Sequence, residues 1–178
     1  MKKLYFLSLI LFIGILSYGQ GSTSIVISQV YGGGGNTGAT YTHDFIELFN
    51  KSASNVDITG WSIQYNTPTS TTSTWSKLNL PNVVIQPGQY FLIQLAQGSG
   101  GTTALPIPDA TGTIAMGANA GKVVLVNNTN AITIQCPSTG VIDLVGYGSS
   151  NCFEGSGSAS NTSNNTAAIR INNGLTDT

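Results

Sequence analysis

Charged side chains are scarce in this sequence: they make up 7% of its 178 residues, against about 25% in an average soluble protein. The solvating surface must therefore come from Thr, Ser, Asn, Gln and Gly. Lys2 and Lys3 sit in an N-terminal leader, and the remainder keeps Lys51, Lys77, Lys122 and Arg170 against seven acidic residues, a formal charge of −3. Four dispersed cations cannot build the basic stripe that phosphate neutralisation requires, which argues against direct nucleic-acid binding. Disordered chains can also be short of charge, but they are poor in apolar and aromatic residues. Here 40% of residues are hydrophobic, so the chain should fold.

Catalytic equipment is equally sparse. There is one histidine, His43, with no nucleophile setting beside it, and no G-x-S-x-G elbow occurs. It reads as a surface residue. Asp44 and Glu47 stand three apart on a strand, which sends them to opposite faces. Asp44 is expected to end the preceding loop with a local hydrogen bond, and Glu47 to pair with a neighbouring strand. The run Gly32-Gly33-Gly34-Gly35 is followed by neither Gly-Lys-Ser/Thr nor a helix, so it makes no phosphate cradle and is expected to be a mobile loop. No catalytic residue and no cofactor is expected.

No window of helical length carries a 3.6-residue apolar period. Instead, apolar residues recur with period two in short runs closed by Gly, Asn, Pro or Ser, the pattern of strands joined by turns. Strands are predicted at Ser24–Tyr31, Asp44–Asn50, Trp61–Tyr65, Tyr90–Leu95 and Lys122–Asn127. Weaker ones are expected at Leu78–Leu80, Val83–Ile85, Thr113–Met116, Val141–Val145 and Ala167–Ile171. In Trp61–Tyr65 the alternation puts Trp61, Ile63 and Tyr65 on a core face and Ser62 and Gln64 on a wet one. Gln86-Pro87-Gly88-Gln89 predicts a type II turn. Short strands with no crossover helices favour an antiparallel sandwich or barrel. Low-complexity stretches at 67–74, 98–103 and 155–166 read as loops.

Lys2 and Lys3, the apolar run Leu4–Leu16 and the small residues Ser17 and Gly19 together make a secretory signal peptide over residues 1–19. The run is shorter than the roughly 20 residues that span a bilayer. The mature domain is then 20–178, without a membrane span and secreted or held at the cell surface. Cys136 and Cys152 are the only cysteines, and in an exported chain they should form one disulfide. Asp109, Asp143 and Glu154 lie in loops rich in Asn and carbonyl oxygens and are weak calcium candidates, without a D-x-D-x-D-G run. Tyr41, Tyr65, Trp75, Tyr147 and Phe153 fall at strand ends or in loops. There they could stack on sugars or anchor a partner, although core packing is the commoner fate of each.

Three runs carry a family resemblance: Asp44–Asn50, Val56–Tyr65 and Ile85–Ile93. With Pro108–Gly112, Gly121–Val123, Asp143–Gly148 and Asn151–Gly155 they resemble the lamin-tail domain, in its bacterial exported branch. The resemblance implies an all-β, immunoglobulin-like antiparallel β-sandwich that serves binding or attachment to a cell surface, polysaccharide or protein partner, and implies no catalytic residues. Bacterial domains of this kind also stand at the front of exported nucleases or phosphatases of the endonuclease/exonuclease/phosphatase type. An accessory role in such a protein is the alternative expectation. The ending at Thr178 looks as though it stops inside the family's terminal Thr-Asp-Thr-Asp stretch, which is the pattern expected of a fragment.

Overall fold

The computed structural model describes residues 24–71 and 74–172; the signal-peptide reading lies outside them. Among the described residues the period-two runs form eleven strands. They are β1 (Ile25–Tyr31), β2 (His43–Asn50), β3 (Val56–Asp57), β4 (Ser62–Asn66), β5 (Ser76–Asn79), β6 (Val84–Ile85), β7 (Tyr90–Gln97), β8 (Ala110–Thr111), β9 (Gly121–Val126), β10 (Val141–Tyr147) and β11 (Ala168–Ile169). One sheet has the order β11-β1-β2-β7-β8 and the other β10-β9-β4-β5, with β3 and β6 forming a short ribbon. Pairing is antiparallel except between β7 and β8. The fold is an all-β, immunoglobulin-like sandwich.

Between the sheets, Ile25, Ile27, Ile46, Leu48, Phe91 and Ile93 meet Ile63, Tyr65, Val123, Leu125 and Tyr147. The Pro-Gly turn forms as its residues demand: Gln89 N donates to Gln86 O at 3.1 Å and Gly88 takes φ +72°, the type II signature. Thr113–Met116 is not a strand. The edge position beside β7 falls to Ala110–Thr111, while Ile114 still buries its side chain and its carbonyl accepts from Ala96 N.

Two expectations are overturned by close packing. Ser62 and Gln64 are fully buried rather than wet. A flap, residues 127–140, lies over the outer face of the β4/β9 sheet, and those two side chains satisfy its backbone. Ser62 Oγ donates to Asn128 O, Gln64 Nε2 to Asn130 O, and Gln64 Oε1 accepts from Ile132 N. Alternation still holds, but both faces are covered: Val124, Val126 and Leu144 form a second small core with Trp75 and Cys152 under the flap.

The glycine run is likewise no mobile loop. A Cβ on Gly34 would lie 1.9 Å from the His43 carbonyl carbon, and one on Gly35 2.2 Å from Gly98 Cα. Glycine is required there because backbone meets backbone, with the 98–103 segment folded against the run.

Candidate functional site

Hydrogen-bond demand explains where the aromatic candidates went. Tyr65, Trp75 and Tyr147 are buried, not exposed. The Tyr65 hydroxyl accepts from Gly117 N and the Tyr147 hydroxyl donates to Gly117 O, each at 2.8 Å. Gly121 leaves room for both side chains: a Cβ there would lie 2.6 Å from a Tyr65 ring carbon and 2.6 Å from the Tyr147 hydroxyl oxygen. Burial raises the pKa of both phenols. Trp75 donates its indole N–H to Ile134 O at 3.0 Å and so anchors the flap. Tyr41 is half-buried, edge-on to Tyr31 and Phe45. Phe153 alone of the five is largely exposed, at 42%.

The acidic residues are also spoken for. Asp44 is buried, its carboxylate accepting from Gly34 N at 2.9 Å and Met116 N at 2.8 Å, so it ties the glycine run to the segment before β9. Desolvation pushes its pKa up to about 6 against these two bonds. Glu47 accepts from Ser28 Oγ on β1 at 2.7 Å. Of the calcium candidates, Asp109 accepts from Leu92 N, Glu154 from Leu144 N, and Asp143 from Ile27 N and the Arg170 guanidinium. They bond three separate backbone sites rather than one another, and no cluster of three or more potential ligands forms among the described residues.

Asp143 and Arg170 together do structural work that the sequence did not advertise. Arg170 Nη2 lies 3.0 Å from both Asp143 oxygens, and its Nε donates to Ile27 O at 3.3 Å. The pair thus takes the N–H and C=O of Ile27, where the β1 register shifts, and links β1 of one sheet to β10 of the other. Above Ile27, β11 takes over the β1 edge at Gln29 and Val30.

This seam carries a groove of about 90 Å³, with Ile27, Val30 and Leu144 beneath and Phe153, Ile169 and Ile171 around it. The last three are 42%, 65% and 57% exposed. Ser28, Glu154 and Arg170 add polar groups to the lining. Of the residues singled out from sequence, Phe153 and Glu154 come together here. Ile169 and Ile171 were legible only as a closing strand. Ile169 is exposed on the two-residue edge strand β11, and Ile171 in the turn that follows it.

Cys136 and Cys152 are bonded, with S–S 2.04 Å. Beside them Lys122, fully buried, donates to Ser70 O, Gln135 O and Asn151 Oδ1 at 3.2, 3.1 and 2.9 Å, with its Nζ 5.5 Å from the centre of the Trp75 ring. Burial lowers its pKa. A lysine inside the otherwise apolar run Gly121–Val126 was the available signal.

A family model described as the lamin tail domain matches residues 19–149. No curated protein matches the chain. Among solved structures the chain is similar to a DUF4876 family protein from Bacteroides thetaiotaomicron VPI-5482, at 14% identity and a TM-score of 0.48, over 71% of this chain and 54% of that one. The chain thus spans about half the length of that protein. Cys152, the groove residues Phe153, Ile169 and Ile171, and β11 all follow the matched segment, yet β11 hydrogen-bonds to β1 at its centre. With the matched residues making up well over half of the sequence, the chain belongs to the lamin tail domain family.

Proposed function

We propose that this chain is an exported, non-catalytic module that attaches to a protein partner by accepting one apolar side chain in the seam groove. The observation that carries this reading is the groove rimmed by exposed Phe153, Ile169 and Ile171. Its volume of about 90 Å³ is far below the roughly 300–1,000 Å³ of small-molecule sites, but suits a single Leu- or Phe-sized anchor from a partner. Exposed aromatic and aliphatic groups clustered round a pocket are the usual makings of a binding hot spot. Family membership agrees with a non-catalytic role, as does the engagement of Asp44, Asp143 and Lys122 by protein groups. Export is supported by the leader sequence and by the disulfide, which persists in oxidising compartments.

The test is selection of a random peptide library, in parallel with a glycan array, on the wild-type protein and on Phe153→Ala/Ile169→Ser. The wild type should enrich peptides sharing one large apolar anchor, and the variant should lose them. Equal enrichment by both proteins, or glycan binding that the variant retains, overturns the proposal.

A further inference from the structure

Lys122 has its acceptors in a telling arrangement. Gln135, whose carbonyl it holds at 3.1 Å, immediately precedes Cys136; Asn151, whose Oδ1 it holds at 2.9 Å, immediately precedes Cys152. Its third acceptor, Ser70 O, and the Trp75 ring fix the ammonium from the β4–β5 side. Lys122 itself sits on the central strand β9, paired with Asn66 and Gly146 on either side, so its Cα is the rigid member of the arrangement. The two cysteines, by contrast, come from loops on separate segments, the 127–140 flap and the stretch after β10. One ammonium therefore gathers both loops at the residues adjoining the thiols.

We propose that Lys122 is the positioning residue for the Cys136–Cys152 disulfide: it brings the two thiols together before they are joined and holds them together after reduction. In the oxidation, each thiol gives up a proton, and the new S–S bond forms as two electrons pass to a disulfide oxidant such as oxidised glutathione, which leaves as two thiols. Lys122 takes no part in that transfer. It raises the effective concentration of one thiol at the other by restricting the reduced loops, and its positive charge nearby favours the reacting thiolate.

Equilibration with mixed reduced and oxidised glutathione, followed by alkylation and mass spectrometry, reads this effective concentration. Lys122→Met keeps the buried stem and removes all three donors. It should lower the effective concentration at least tenfold, a rise of about 30 mV in the two-electron reduction potential. Asn151→Ala removes one acceptor and should shift the potential part of the way in the same direction. Gln64→Ala is the control, because it frees the same flap at Asn130 and Ile132 without touching either cysteine's neighbour; it should leave the potential near the wild-type value. An unchanged potential in Lys122→Met, or a Gln64→Ala shift as large, would overturn the proposal. Should Lys122→Met fail to fold, a wild-type potential in Asn151→Ala does the same.

Discussion

Removing the Arg170 guanidinium probes how the two sheets are locked at the groove. In Arg170→Met the apolar stem is retained, but the Asp143 carboxylate, with no exposed side-chain surface, loses its ion pair with the guanidinium. It keeps the bond from Ile27 N, while Ile27 O loses the Arg170 Nε donor. Breaking a buried pair by deleting one partner costs about 3–5 kcal/mol, because desolvation of the survivor is no longer offset. In a domain of this size 1 kcal/mol corresponds to about 2–4 °C, so Tm should fall by roughly 6–20 °C. Circular dichroism melts at neutral pH measure it. Replacing both partners, as in Arg170→Met/Asp143→Leu, removes the buried charge and should recover a large part of the loss. If the single variant lies within about 1 kcal/mol of wild type, or the double is additively worse, the pair does not lock the seam as described.

Asp44 gives a pH prediction whose sign is fixed by its raised pKa. In the folded protein burial pushes the Asp44 carboxyl up to about 6, against an ordinary value of 3.8. Between these values the native state holds more protons than the unfolded chain, so this contribution to stability is full below about pH 4 and is lost as pH rises through about 6, by at most about 3 kcal/mol. Urea titrations across this range should show the slope in wild type and not in Asp44→Asn; parallel curves would refute it. Loss of the disulfide in Cys136→Ser/Cys152→Ser, where the residues are 16 apart, should cost about 3 kcal/mol in the same assay. Gly34→Ala, whose Cβ would meet backbone at 1.9 Å, should lose at least about 3 kcal/mol. Gly38→Ala, with nothing within 4 Å but φ +76°, should lose only about 1–2 kcal/mol. A loss at Gly34 no larger than that at Gly38 would contradict close backbone approach as the source of the Gly34 requirement.

The architecture was readable because alternation is a local signal. Ile25–Tyr31, the run through Glu47 and Leu48, and Tyr90–Leu95 each announce a strand, and Pro87-Gly88 announces its turn. Local chemistry also led Asp44 to a bond with the preceding loop and Glu47 to a neighbouring strand, where the structure supplies Gly34 N and Ser28 Oγ as the donors. What alternation cannot reveal is a third layer. Ser62 and Gln64 occupy polar positions in the pattern, yet a flap more than 60 residues away covers them, as the |i−j| of 66 in the Gln64–Asn130 bond records. Lys122 and the Asp143–Arg170 pair escaped for the same reason, since their partners lie far off in sequence. Tyr65 sits on the core face that alternation assigned it, and Trp75 and Tyr147 likewise took core packing, the commoner fate, rather than the partner-binding one. Phe153, Ile169 and Ile171 reach one groove only through pairing across 140 or so residues, such as Gln29 with Ile169.

Site-specific photo-crosslinking tests the binding proposal most directly. A benzoylphenylalanine placed at 153, in the groove, is compared with one at 90, where Tyr90 is as exposed as Phe153, 43% against 42%, but lies away from the groove lining. With the chain expressed in its native cells, irradiation should yield a discrete protein adduct from position 153 and none from position 90. Adducts of equal yield from both positions, or a partner captured only from position 90, would contradict the seam groove as the attachment site.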